Sequence, residues 1–231
     1  MFKHVIFFLI GASLLACSSH LTLSGTKVPL NIDSNEKQEV SSFISPFKDS
    51  MDRAMNLILA ESSVSMEVGR PSSLLGNWAS DALFVNQTRT VKLSEPIFCL
   101  LNTGGLRSSI GKGPVTLGDI FRIMPFENNV VWLRLPISSL DKIEYYLQQS
   151  GGEPISNASM FQGRFSVNNV TEETKFVWVI TTDYLANGGD RMDFFQDAIE
   201  RSDKKTLLRD VFIEEAKLQK NLIVSFEKRI Q

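Results

Sequence analysis

The chain has 231 residues, 43% of them hydrophobic and 22% charged, with a formal charge of −2. This is ordinary globular usage for one domain with an extension, which excludes a disordered or fibrous chain, and the near-neutral charge excludes a surface built to coat nucleic acid. Two histidines and two cysteines bound the chemistry further. A His/Cys zinc site needs three or four ligands, a Ser-His-Asp triad needs a histidine beside its nucleophile, and a two-metal phosphoesterase centre normally draws on several histidines. An all-carboxylate Mg²⁺ site stays open by count, since the chain has 26 acidic residues. It contains neither a Walker A pattern nor a Gly-x-Gly-x-x-Gly after a strand.

At the N-terminus, Lys3 supplies a basic start, and Val5 to Leu15 form an apolar stretch too short to span a bilayer with margin. The stretch ends in Leu14-Leu15-Ala16-Cys17-Ser18-Ser19. This resembles the lipobox of bacterial lipoproteins, in which the signal is cut before a cysteine that is then acylated. The expectation is a signal peptide over 1–16, lipidation at Cys17, a tether over 17–37 and one domain over 38–231. The alternative is an ordinary signal peptide with an incidental Cys17. Several acyl chains anchor stably where one does not. The resemblance therefore implies a chain exported to the bacterial envelope, touching membrane only through its lipid. The absence of Asp at position 18 favours the outer membrane. After cleavage His20 is the remaining histidine, three residues from the anchor. Cys99 then has no second thiol to pair with and reads as a small buried hydrophobe.

From residue 38 onward, Val40, Phe43, Ile44, Phe47, Met51, Ala54 and Ile58 follow helical spacing, with a break or helix start expected at Pro46. Ser62 to Val68 alternates weakly, as a strand does. Ser72-Ser73 caps a helix whose inner face is Leu75, Trp78, Ala79, Ala82 and Leu83. Residues 96–101, 130–135 and 176–180 are uninterrupted apolar strands of the kind found in a sheet covered on both faces. Thr116 to Ile123 is a short helix. Ser138-Ser139-Leu140-Asp141 resembles a capping box opening a helix with Leu140, Ile143 and Leu147 inward. Leu208, Val211, Phe212 and Ala216 mark a last amphipathic helix. The class is α+β, a single domain with a mixed sheet flanked by helices.

Two glycine pairs follow buried strands: Asn102-Thr103-Gly104-Gly105-Leu106-Arg107 and Asn187-Gly188-Gly189-Asp190. Adjacent glycines let backbone N–H groups approach a ligand closely, while Asn, Arg107 and Asp190 supply donors and acceptors suited to a sugar or phosphate. Each pair is equally readable as a tight turn with polar decoration. Phe126, in Met124-Pro125-Phe126-Glu127-Asn128, and Tyr184, ahead of the second pair, are either platforms for a flat ring or half-buried loop aromatics. Arg70, before Pro71, is a further cation.

These motifs, with Gly118-Asp119-Ile120 and the run Asp183 to Asp190, occur in an order that resembles the C-terminal, substrate-binding domain of the 5′-nucleotidase family. Gly69-Arg70-Pro71, Leu75-Gly76-Asn77 and Asp81-Ala82 match the start of that domain, so the resemblance covers roughly residues 40–229. It implies that Phe126 and Tyr184 stack on a base, that Asn102 and Asn128 contact it beside the Gly104-Gly105 turn, that Asp190 meets the ribose hydroxyls, and that Arg70 and Arg107 face the phosphate. Tyr184 stands where the family often has Phe, which keeps the ring face. Ser72 stands where Glu is common, and the segment around Gly163-Arg164-Phe165 lacks the usual Ser-Gly. The family's catalytic His and Asp and its metals belong to an N-terminal domain that the histidine count leaves no room for. The expectation is therefore a substrate-gripping half without catalytic residues, metal or cofactor of its own. Its ligand would be a nucleotide or nucleoside, and a separate metallophosphatase chain would supply any divalent metals. A free-standing nucleotide- or nucleoside-binding lipoprotein without hydrolysis is the alternative.

Overall fold

A computed structural model describes residues 34–91 and 94–231 of the chain. The expected signal peptide, Cys17, His20 and most of the expected tether lie outside the described residues. The described residues divide into two units at Ser45/Pro46, the second being Pro46–Gln231. Helix α1 (Ser34–Met55) contains Pro46 in its interior, so that proline neither starts nor ends the helix.

The second unit continues with β1 (Ile58–Ser62), α2 (Leu74–Thr88), β2 (Ile97–Leu100), β3 (Gly113–Thr116), α3 (Leu117–Ile123), β4 (Asn129–Pro136) and α4 (Ser139–Ser150). Then come β5 (Ile155–Ser156), β6 (Ala158–Phe161), β7 (Arg164–Val167), β8 (Phe176–Thr182), α5 (Asp183–Ala186), β9 (Glu200–Leu207) and α6 (Leu208–Gln219). The central sheet has the order β5-β2-β8-β4-β9. Strands β2 and β8 run parallel, and every other pairing in it is antiparallel.

The apolar runs are continuous because both faces of this sheet are covered, so alternate residues enter two different cores. Cys99, Val130, Trp132 and Ile180 join Leu75, Trp78, Leu83 and Phe212 on the face packed by α2 and α6. Phe98, Leu100, Val131, Leu133, Val177 and Val179 join Ile143 and Leu147 of α4 on the other face. Cys99 is fully buried, and burial pushes its thiol well up, so it serves as core. The edge strand β9 carries Glu200, Arg201, Asp203, Lys204 and Lys205, the kind of charged edge that disfavours edge-to-edge strand pairing.

The local signals hold at several boundaries. The Ser73 hydroxyl accepts from Gly76 N–H at 3.0 Å and caps α2. Thr116 and Asp119 form a reciprocal capping box on α3. Two expectations are corrected. Helix α1 stops at Met55, and the strand that follows is Ile58–Ser62 rather than Ser62–Val68, because Ile58 to Ser62 pairs with β3; after it, Met66 makes only an isolated bridge to Ile110. The start of α4 is not a capping box: Ser138 makes no side-chain cap bond, while the Ser139 hydroxyl donates to Asp197 at 3.0 Å. At the β6–β7 turn, Gln162 and Gly163 both have positive φ (51° and 76°), the geometry of a tight two-residue hairpin.

Candidate functional site

The sheet register brings three loops to one edge. Because β2 and β8 are parallel neighbours, the loops leaving their C-terminal ends emerge side by side, the place where open α/β sheets hold ligands. Strand β4 runs antiparallel to β8 with Val130 opposite Thr182, so the turn entering β4 lies at that same edge. One loop carries Asn102 to Arg107, the second Tyr184 to Asp190, and the third Phe126 and Asn128.

Together they enclose a cleft of about 330 Å³ lined by Asn102, Gly104, Gly105, Arg107, Phe126, Asn128, Tyr184 and Asp190. That is within the usual range of small-molecule pockets, about 300–1,000 Å³. Eight of the nine expected binding residues therefore meet at one site, although they are spread over 89 positions of sequence from Asn102 to Asp190. Phe126 is 42% exposed and Tyr184 47%. Among the described residues neither ring pairs with another aromatic, so both keep apolar surface at the cleft.

Asp190 ties the loops together. Its Oδ2 accepts from Asn102 Nδ2 at 2.6 Å and its Oδ1 from the Tyr184 hydroxyl at 2.8 Å. This second hydrogen bond, reinforced by the carboxylate's charge, holds the Tyr184 phenol above its ordinary pKa. A carboxylate has about four lone-pair sites, so Asp190 can still accept from a ligand's hydroxyls. Its backbone is left-handed (φ 52°), as is that of Gly188 (φ 90°), which is what turns the chain back toward β2.

The glycines are needed for space. A Cβ on Gly105 would lie 2.6 Å from Asn102 Oδ1, and one on Gly189 would lie 2.5 Å from the Tyr184 ring and 2.6 Å from the Tyr184 carbonyl oxygen. The peptide around Asn128 is fixed by its carbonyl, which accepts from Leu208 N–H at 2.9 Å. Arg107 is exposed, with its guanidinium donating to the Gly104 carbonyl at 3.2 Å.

Arg70 is the residue that the structure places elsewhere. Its Nε donates to the Gly152 carbonyl at 2.8 Å and its Nη2 to Glu153 at 2.5 Å, and it lines a neighbouring cleft. Where Ser72 offers no carboxylate, Arg70 takes its partner from Glu153, 83 positions away in sequence.

Glu153 is a supporting residue that sequence reasoning missed. It is 2% exposed, and its second oxygen accepts from Thr103 N–H at 2.6 Å, so one carboxylate holds both Arg70 and the first glycine loop. Only its place beside the Gly151-Gly152 pair hinted at this, because Glu153 looks like a surface charge in sequence. Tyr146 packs nearby, its hydroxyl donating to the Asp190 carbonyl at 3.1 Å.

Burial, with the Glu153 and Asp190 carboxylates close by, pushes the Tyr146 phenol up to about 12 from an ordinary value of 10. The fold holds this proton more tightly than the unfolded chain does. The associated stability is therefore complete below pH 10 and is lost as pH rises through about 12. Ultraviolet titration is expected to show a phenol ionising near pH 12 that is missing in Tyr146→Phe. Persistence of that phase in the variant would contradict the assignment.

Among the described residues no group of three or more His, Cys, Asp or Glu is placed to hold a metal ion. The fold has relatives among solved structures. It is the mixed-sheet fold of 5′-nucleotidase C-terminal domains, and a family model described as "5′-nucleotidase, C-terminal domain" matches residues 53–142. The 5′-nucleotidase precursor from Thermus thermophilus superposes with a TM-score of 0.65 at 23% identity, covering 85% of this chain and 43% of that one. The trifunctional nucleotide phosphoesterase protein YfkN of Bacillus subtilis is 22% identical over 217 residues, 82% of this chain and 15% of its own length. An apyrase from Tabanus yao is 25% identical over 243 residues, covering 90% of this chain and 44% of its own. The chain thus spans less than half the length of each of these proteins.

Proposed function

We propose that this chain binds a nucleotide or nucleoside, gripping the base between Phe126 and Tyr184 with Asn102 and Asn128 at its edge and Asp190 at the ribose hydroxyls. The observation that carries the reading is the convergence of three separate loops, with eight lining residues, on one cleft with a ring at Phe126 and a ring at Tyr184. Arg107 is the cation lining that cleft and takes the phosphate side. The nucleotide-related names of the matched relatives support the same ligand class.

Gripping a nucleotide accelerates hydrolysis only when a reactive centre is held against the phosphate. In this reading a separate metallophosphatase chain supplies that centre and its divalent metals, and the two together act in nucleotide breakdown. The lipobox-like Cys17 would hold this half at the bacterial envelope.

Titration calorimetry with adenosine, AMP and ribose 5-phosphate tests the clamp. Heat is expected with the first two and none with the third, since the stacking surface selects for a base. Equal binding of ribose 5-phosphate, or no binding of any of the three, would overturn it. Adding the chain to its metallophosphatase is expected to raise kcat/KM for AMP; ligand binding without such an effect would favour a free-standing binding protein.

A further inference from the structure

Asp190 is a wall between two clefts. Beyond it lies a second space of about 440 Å³, lined by Arg70, Tyr146, Ser150, Glu153, Asp190 and Arg191 among others. The Asp190 side chain is committed to the first cleft through Asn102 and Tyr184, while its carbonyl is held by Tyr146. Arg191, the next residue, also has a left-handed backbone (φ 63°), a conformation that an arginine adopts only at a cost. Two successive left-handed residues thus give the first cleft its carboxylate and the second cleft a cation.

The second cleft has donors to spare. Arg191 is exposed and makes no ion pair among the described residues. Arg70 is held rigidly through Nε and Nη2, which leaves Nη1 without an intramolecular partner among the described residues. The one carboxylate lining this cleft besides Asp190 is Glu153, whose oxygens are already taken by Arg70 and Thr103. A pinned guanidinium beside a free one is an arrangement suited to a group with several anionic oxygens.

We propose that this second cleft binds a phosphate carried on the ribose 2′- or 3′-oxygen of a nucleoside seated in the first, gripped by Arg191 and the free arm of Arg70. The inference rests on the nucleoside reading of the first cleft, with Asp190 at the ribose hydroxyls. The phosphate replaces one hydroxyl, and the other still donates to Asp190. The 5′ side of the same ligand remains with Arg107, so the two ends are read by different cations.

The test is calorimetry of the chain with adenosine, adenosine 2′-phosphate and adenosine 3′-phosphate, repeated for Arg191→Gln and Arg191→Gly. The glycine variant suits the positive φ and so preserves the turn. At least one of the two phosphates is expected to bind about tenfold tighter than adenosine, by an increment that shrinks with added salt and disappears in both variants. If adenosine binds but neither phosphate gains over it, or if the gain survives in both variants, the second subsite is wrong and the clamp stands. If adenosine itself does not bind, the clamp falls and takes the second subsite with it.

Discussion

Replacing Phe126 and Tyr184 together by alanine is expected to abolish measurable nucleoside binding. Each base–aromatic stacking contact is worth about 1–3 kcal/mol, so losing both weakens binding by roughly 30- to 20,000-fold. The rings are 42% and 47% exposed, which keeps the loss of stability well below the loss of affinity. Tyr184 has a second role, because its hydroxyl bonds to Asp190. Tyr184→Phe therefore separates the two: the ring face survives, and affinity is expected to fall by only about threefold, the scale of one exposed hydrogen bond. Calorimetry on the three proteins checks this order. If the double variant bound as well as the parent chain, the cleft would not be a stacking site.

The largest effect on stability is expected at Glu153. Its carboxylate is buried and accepts from both Arg70 and the Thr103 N–H. Breaking a fully buried ion pair costs about 3–5 kcal/mol, and orphaning a buried N–H about 1–3 kcal/mol. Arg70 is 42% exposed and recovers part of its hydration, so about 2–4 kcal/mol is the expected loss for Glu153→Ala. At about 2–4 °C per kcal/mol for a chain of this size, Tm should fall by roughly 10 °C. Glu153→Gln keeps an acceptor for Thr103 and should lose about half as much. Nucleoside affinity is expected to drop with Glu153→Ala as well, since the Asn102–Gly105 turn loses its support. A change in Tm of under about 2 °C would mean that the loop is held by other contacts.

Much of the fold was legible because its central strands are continuous apolar runs and its helices carry clear caps. Residues 96–101, 130–135 and 176–180 could be read as strands from composition alone, since burial on both faces removes any polar alternation. Strand β9 was not legible: Glu200, Arg201, Asp203, Lys204 and Lys205 protect an edge, and a charged edge looks like a loop in sequence. Strands β3, β5, β6 and β7 are too short to show a period. The candidate site was legible only in part from local pattern. Two of its three loops are glycine-paired turns directly after buried strands, whereas the turn carrying Phe126 and Asn128, and the role of each residue, came from the resemblance to a known domain family. Arg70 and Glu153 could not be read this way, because their pairing joins positions 83 apart in sequence through packing that no local pattern records.

The central claim is that a base lies between Phe126 and Tyr184, and the most direct measurement is a crystal structure of the chain with adenosine bound. The adenine ring is expected between the two aromatic faces, with a ribose hydroxyl within hydrogen-bonding distance of Asp190. Adenosine bound outside this cleft, or in it with the base away from both rings, would show that Phe126 and Tyr184 do not form a base clamp.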